Sequence, residues 1–325
     1  MQRGLYPFAG PWRGAGEMNG SEFTAIGVDV GGTKIAAGVV TFPRGVVQAR
    51  RIISTLPKRG GEAVLADVER LVSELAAEAR AADRAVEGIG VGVCEIVNHA
   101  GDIVSANCLN WTGAVVRKKL SSIAQTVIEA DVRAAARAEA LFGAGREARV
   151  FLYVSIGTGI ASCLVIDGQP FTGARGATGT MASGPLPGFS EDITKPLLPT
   201  LEQIASGPAL VSRLCALGGM AESGEDVLAA AARGDEHATS VVQSGGAALG
   251  ASIGALVNVL DPAMVILGGG LGLSEGLYRE SLVNSARQHI WWSGHRDLPI
   301  LPAGTGADAS LIGAAATAWE TFSAK

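Results

Sequence analysis

The sequence predicts an α/β protein of two similar domains flanking a cleft. Two observations carry this expectation. A glycine-turned β-meander opens each half of the chain, and each meander gives way to helical and strand patterns in alternation. The first meander turns within Ile26-Gly-Val-Asp-Val-Gly-Gly-Thr-Lys-Ile35 and the second at Gly157-Thr158-Gly159. At 325 residues the chain is long enough for two sizeable cores.

Taken in order, strand character fills Thr24–Val30, Lys34–Thr41 and Val46–Ile53. Over Gly61–Ala82, apolar residues at Val64, Leu65, Val68, Leu71, Val72, Leu75 and Ala76 have the spacing of an amphipathic helix. Val86–Val93 is a nearly continuous apolar run, as expected of a central strand covered on both faces. A hairpin return at Gly101–Ser105, a polar loop at Asn107–Trp111, a helix over Gly113–Ala124 and a strand at Thr126–Ile128 follow. The rhythm restarts with strands at Val150–Ile156, Ala161–Ile166 and Gln169–Phe171, then helices over Leu201–Leu217, Gly224–Arg233 and His237–Leu260. A strand at Met264–Leu267 ends in Gly268-Gly269-Gly270. A helix to about Arg287, a strand at Leu298–Leu301 and a helix over Ala307–Phe322 finish the chain. The expected division is a disordered lead-in over 1–23, an N-terminal domain over 24–127 and a C-terminal domain over 128–306. The last helix, 307–325, is expected to pack back on the first domain.

Composition narrows the function classes. Hydrophobic content of 48% against 18% charged residues argues for a compact globular protein. Glycine supplies 45 of 325 residues, about twice its ordinary share, and clusters at strand ends, which reads as ligand-facing turns. The net charge of −5 offers no basic surface for nucleic acid. Cys94, Cys108, Cys163 and Cys215 lack CxxC spacing and read as reduced thiols of a cytoplasmic protein. The most apolar stretch, Gly245–Leu260, reads as a buried helix, not a membrane span.

The first hairpin holds a plausible phosphate site. Paired Gly31 and Gly32 let main-chain N–H groups approach an anion. Thr33 adds a hydroxyl and Lys34 a cation, and Asp29 is placed to hold a hydrated Mg²⁺ beside phosphate oxygens. An ordinary hairpin turn would use the same residues. No G-x-x-x-x-G-K-[ST] run is present, which argues against a P-loop.

Asp29-Val-Gly-Gly-Thr-Lys34, Gly157-Thr158-Gly159, Asp261-Pro262 and Gly268-Gly269-Gly270 together resemble the phosphate and adenosine motifs of the ROK family. That family comprises sugar kinases and related repressors. The resemblance runs from Ile26 to about Thr317 and implies two actin-like (ribonuclease H-like) ATPase domains flanking a cleft, with ATP and Mg²⁺ bound. It assigns nucleotide contacts to Asp29, Gly31, Gly32, Thr33, Lys34, Gly157, Thr158, Gly159, Gly268, Gly269 and Gly270. In these kinases a Glu-Asn-Asp-Ala segment delivers the catalytic base; here it reads Glu129-Ala130-Asp131-Val132, which places Asp131 as base towards an acceptor hydroxyl. A helix N-cap is the plainer role for the same Asp.

The chain departs from the family pattern in the sugar pocket. Ala130 replaces the Asn before the base. In the run Gly176-Ala-Thr-Gly-Thr-Met-Ala-Ser183, Thr180 stands where the family carries a Glu, and Ser183 where it carries a His. The closely spaced cysteines of the family zinc site are missing, so no zinc site is expected. The Pro/Gly segment Gly184–Glu191 reads as an irregular loop. Asn107, four residues before Trp111, and Glu202 match family positions that bind the sugar, although a loop cap and a solvent-facing helix residue describe them equally well. Arg133 and Arg175 could read groups that a hexose lacks, or be ordinary helix and turn residues.

The implied activity is an ATP-dependent kinase phosphorylating a hydroxyl of a modified sugar or a C7-type cyclitol, as in secondary metabolism. The acceptor would be a small polyol bound by Asn107, Asp131, Thr180, Ser183 and Glu202. Neither nucleic acid nor membrane is an expected partner, and the family implies a homodimer. Two alternatives stand beside this reading: a glucokinase-type hexose kinase and a catalytically inactive sugar-sensing protein. The short segment ahead of Ile26 leaves little room for a repressor's DNA-binding domain, and no cluster of cysteines suits an ATPase that activates a radical enzyme.

Overall fold

The computed structural model describes residues 22–184 and 199–323. The segments 1–21 and 185–198, which hold most of the expected lead-in and of the Pro/Gly loop, lie outside the described residues. The chain divides into two compact units, one of residues 1–151, 164–171 and 308–325, the other of 152–163 and 172–307.

The first unit opens on a meander. β1 (Phe23–Val30), β2 (Lys34–Phe42) and β3 (Val46–Ser54) pair antiparallel in sequence order, with Asp29 opposite Ala36. α1 (Gly61–Ala81) leads to β4 (Gly88–Val93), which pairs parallel to β1. α2 (Gly113–Leu120) leads to β5 (Gln125–Ala130), parallel to β4, and α3 (Asp131–Leu141) starts directly at the end of β5. The sheet order is β3-β2-β1-β4-β5. Since β5 and α3 complete this sheet and its cover, the first unit runs on to Phe151 and does not stop at 127.

In the second unit and its borders come β6 (Val150–Ile156), β7 (Ile160–Ile166) and β8 (Gln169–Pro170), then α4 (Glu202–Ala205), α5 (Gly207–Ala216), α6 (Gly224–Ala232) and α7 (Glu236–Leu260). β9 (Met264–Gly268), α8 (Gly269–Leu273), α9 (Leu277–His289), β10 (Ile300–Pro302) and α10 (Ala309–Phe322) follow, and the second sheet runs β10-β9-β6-β7-β8. The helix expected over Leu201–Leu217 is two helices. Ser206 caps the second of them, accepting from Ala209 N–H, and Pro208 in its first turn is a residue that starts helices and cannot continue one. The helix expected after Gly270 is likewise split, into α8 and α9, by Ser274–Gly276, where Gly276 takes a φ of 89°.

Alternation along β1 explains how the first unit packs. Ile26, Val28 and Val30 are buried with Val64, Val68, Leu71 and Leu75 of α1, the face its apolar spacing presents. Each such side chain contributes roughly 1.5–3 kcal/mol by leaving water. The opposite face carries small residues because α10 lies directly on the backbone there: a Cβ at Gly90 would sit 1.7 Å from Ala314 O, and one at Gly27 2.0 Å from Leu311 O. Asp29 follows Ala25 and Gly27 on this face by the two-residue period. In the second unit α7 packs along α9, with Gly246, Gly250 and Gly254 against its main chain. Among the described residues α7 is the one helix long and apolar enough to cross a membrane, and half of its most apolar window is buried within the protein.

Candidate active site

The first unit places Asp29 and Asp131 at the carboxyl ends of β1 and β5, the two parallel strands that flank β4. Asp29, next to last in β1, lies opposite Gly92 of β4, and Ala130 ends β5 opposite Val93. A Cβ at Gly92 would lie 3.6 Å from Asp131 Cα, in ordinary contact, which shows how close the Asp131 main chain comes to β4. Asp131 is the first residue of α3. Its Oδ1 accepts from Val132 N–H at 2.6 Å, which fixes the carboxylate at the helix start.

Burial governs the protonation of both acids. It pushes Asp131 up to about 6, assisted by the Glu95 charge and opposed by the Val132 N–H and the Arg133 guanidinium. Asp29 is pushed to about 7 by burial first and the Asp131 charge second, with Lys34 pulling the other way. The strand ends therefore present two desolvated carboxylates against a single exposed amine at Lys34, a donor set that suits a hard cation with oxygen ligands. Among the described residues no group of three or more His, Cys, Asp or Glu is placed to hold a metal by itself.

The hairpin carrying Gly31, Gly32, Thr33 and Lys34 closes through Gly31 N–H to Lys34 O at 3.0 Å. Neither glycine takes a positive φ; what matters at Gly31 is space, as a Cβ would lie 3.2 Å from Lys34 O. Buried Thr55, just beyond β3, braces the turn: its N–H donates to Thr33 O and its hydroxyl to Gly31 O at 2.6 Å. Sequence reasoning passed over Thr55. A Thr adjoining a strand end carries no signal of its own, and only the β2–β3 register shows that it returns beneath the turn.

Asn107 leaves β4 through a loop whose shape Glu95 dictates. Glu95, 6% exposed, accepts from Asn107 N–H at 2.9 Å, Cys108 N–H at 2.6 Å, Leu109 N–H at 3.0 Å and the Ser105 hydroxyl. These bonds hold its carboxyl below the usual range although burial opposes them. The Asn107 side chain is exposed. Buried Trp111 ends the loop by donating Nε1–H to Gly61 O at 2.6 Å. Glu95 was also missed from sequence. A lone Glu after an apolar strand resembles any loop acid, and the observable that would have found it, a run of N–H groups folding back, is tertiary.

Arg133 is engaged within the protein. It is 4% exposed, with Nε on Glu129 Oε1 and Nη2 on Val97 O at 2.7 Å, so its charge ties α3 to β5 and to the segment leaving β4. Arg175 is exposed in a turn.

The second unit gathers its own candidates. Gly157 N–H donates to Gly159 O at 2.9 Å, Gly157 O accepts from Gly207 N–H at the start of α5, and a Cβ at Gly157 would lie 4.0 Å from Gly270 N. The Gly157-Thr158-Gly159 turn, the N-terminus of α5 and the Gly268-Gly269-Gly270 run thus adjoin, although the first N–H groups of α5 are already taken by Gly157 O and Ser206. Gly269 is required by conformation, with φ 77° and a Cβ position 2.4 Å from Ile156 O. Glu202 is neither solvent-facing nor free: its Oε2 accepts from Ile160 N–H at 2.9 Å, immediately after that turn. Its own N–H reaches Ala182 O, which brings the exposed turn Thr180–Ser183 alongside. Thr180, Ser183 and Glu202 therefore share one region of the second unit, while Asn107 and Asp131 belong to the first.

Strands that end in a Gly-turned hairpin with acids at their carboxyl ends, repeated in a second α/β unit, define the actin-like ATPase class of fold. The chain belongs to the ROK family, whose sequence pattern matches residues 25–321. It is 30% identical over 278 residues to the N-acetyl-D-glucosamine kinase of Erwinia tasmaniensis, covering 81% of this chain and 89% of that one. It is 28% identical to the glucokinase of Streptomyces coelicolor, covering 91% and 97%. It is also 28% identical to the bifunctional enzyme NanE/NanK of Brucella melitensis, of whose length the chain spans about half, 54%. Among solved structures, the ROK glucokinase of Streptomyces griseus in complex with glucose and AMPPNP superposes with a TM-score of 0.77 at 26% identity, over 91% of this chain and 99% of that one. The ROK hexokinase of Thermus thermophilus gives 0.75 at 28% identity, over 93% and 100%.

Proposed function

We propose that this protein is an ATP-dependent kinase that phosphorylates a hydroxyl of a modified sugar or sugar-like C7-cyclitol, with Asp131 as general base. One observation carries the reading: a desolvated carboxylate fixed at the β5–α3 junction beside Asp29, in a ROK chain whose relatives include glucokinases and an N-acetylglucosamine kinase. Phosphoryl transfer asks a protein mainly for positioning and charge neutralisation. Asp131, poised near neutrality by burial, accepts the proton of the attacking hydroxyl. In this reading the Gly31–Lys34 hairpin and the Gly157–Gly159 and Gly268–Gly270 turns hold nucleotide phosphates with main-chain N–H groups. Asp29 is the residue that would hold Mg²⁺, through water, and the burial of two like charges fits that role. The ion, when bound, supplies neutralisation of the phosphate oxygens.

Ala130, Thr180 and Ser183 support an acceptor other than glucose. Each replaces a side chain that would bond a sugar hydroxyl with one that is shorter or apolar, at a cost of about 0.5–1.5 kcal/mol for each bond lost. The N-acetylglucosamine kinase and glucokinase relatives favour a second reading, a hexose or amino-sugar kinase. A cytoplasmic homodimer serving secondary metabolism completes the first. Coupled measurement of ADP release over hexoses, amino sugars and C7 cyclitols tests them. Turnover confined to cyclitols or modified sugars upholds the first, efficient glucose turnover selects the second, and polyol binding without transfer leaves a sensor.

A further inference from the structure

We propose that Glu95 is a positioning residue for the acceptor side of the site: its carboxylate fixes the Asn107–Leu109 loop at the same strand exit that anchors the helix of Asp131. The inference rests on the kinase reading and adds a residue that neither the sequence motifs nor the family pattern pointed to.

The geometry is specific. Three consecutive main-chain N–H groups, of Asn107, Cys108 and Leu109, and the Ser105 hydroxyl converge on the two oxygens of one buried carboxylate. Successive N–H groups arranged so form an anion-binding concavity, here filled by the chain's own acid. The same segment is gripped from the other side. Val97 O accepts from Arg133, two residues beyond Asp131, and Val104 N–H donates to Ile96 O. Residues 95–97 thus brace both the helix that begins with Asp131 and the loop that carries Asn107. The span between base and acceptor loop is set by one short stretch of main chain.

Only an ionised carboxylate accepts four donors at once. Gln offers one oxygen and turns an NH₂ towards N–H groups. Asp is a methylene too short to reach them from a buried backbone. Loss of the anchor releases the loop without touching the nucleotide turns.

The test uses Glu95→Gln and, as a milder variant, Ser105→Ala, which removes one donor of the four. Kinetics are run with glucose, N-acetylglucosamine and a C7 cyclitol as acceptors. In parallel, iodoacetamide labelling of Cys108 is followed by peptide mapping, with buried Cys163 as the internal control. The expected result for Glu95→Gln is a tenfold or greater rise in acceptor KM, an ATP KM within twofold of wild type, and Cys108 alkylation at least fivefold faster with Cys163 unchanged. Ser105→Ala should move the same quantities in the same direction by two- to threefold. An unchanged acceptor KM, or unchanged Cys108 labelling in folded Glu95→Gln protein, overturns the proposal. Equal acceleration at Cys163 reports unfolding, and Ser105→Ala then decides by the same criteria. If wild-type protein phosphorylates none of the acceptors, the kinase reading falls, and the labelling alone decides whether Glu95 holds the loop.

Discussion

The two glycine hairpins look alike in the sequence but keep their chemistry in different places. At the β1–β2 turn the groups proposed to react are side chains: Asp29 and Asp131 lie at the ends of strands on either side of β4, each desolvated, with Lys34 acting on Asp29. At the β6–β7 turn the proposed contacts are main chain, from the Gly157–Gly159 and Gly268–Gly270 turns, beside an α5 N-terminus whose own N–H groups are taken by Gly157 O and Ser206. The carboxylate that comes near that second turn, Glu202, is engaged by Ile160 N–H. An isosteric change of charge should therefore silence the first region without disturbing its fold. The second should ignore charge and respond to added atoms.

The sharpest break between the regions is Asp131→Asn. The amide keeps the shape of the side chain and loses the base, so kcat should fall about 10²–10⁴-fold, the ordinary worth of a positioned proton acceptor. The ATP KM should stay within about threefold, because main chain holds the phosphates in this reading. Since burial sets Asp131 to about 6, kcat/KM of the wild type should decline below that pH as the carboxyl takes up its proton. A mutant with wild-type turnover, or a rate flat from pH 5 to 8, removes Asp131 from the chemistry.

The second region is tested by a pair of glycines one residue apart. Gly269→Ala places a Cβ 2.4 Å from Ile156 O at φ 77°, and should cost on the order of 2–4 kcal/mol, visible as a lower Tm. Gly270→Ala meets nothing within 4 Å, so its Tm should stay within a degree or two of wild type. Any loss of ATP affinity in Gly270→Ala would then come from a methyl group standing where phosphate approaches. Equal Tm values for the two variants would show that Gly269 is not the strained position.

How much of this was legible beforehand follows the same division. Turns such as Gly31-Gly32 and Gly268-Gly269-Gly270 could be located from spacing, as could the apolar face of α1. Asp131 stood out through the resemblance of Glu129-Ala130-Asp131-Val132 to the family segment, since its place at a strand-to-helix junction alone reads equally as a helix N-cap. Residues that act by reaching across the fold were silent. Glu95 gathers N–H groups 12 to 14 residues away, and Thr55 braces a turn 24 residues earlier. Arg133 was left open between a ligand contact and an ordinary helix residue for the same reason. One of its partners, Val97, lies 36 residues back in sequence, and Glu129 takes another of its N–H groups.

Asp29 offers the finest test, because stability and activity should move in opposite directions. Its carboxyl rises from an ordinary 3.8 to about 7 in the fold, so the folded state prefers the protonated acid. The stability this contributes is complete below pH 3.8 and is lost as pH rises through about 7. Asn is neutral throughout and avoids that loss. Apo Asp29→Asn should match wild type near pH 4 and exceed it by about 1–3 kcal/mol at pH 8, a few degrees in Tm, with the gap opening between those limits. With Mg·ATP present the order should reverse, since the wild-type carboxylate gains a cation and the amide gains none. A variant that is less stable than wild type at pH 8 without nucleotide would mean that Asp29 is held by a favourable partner in the apo protein. Its burial would then not be the reserve that a bound cation draws on.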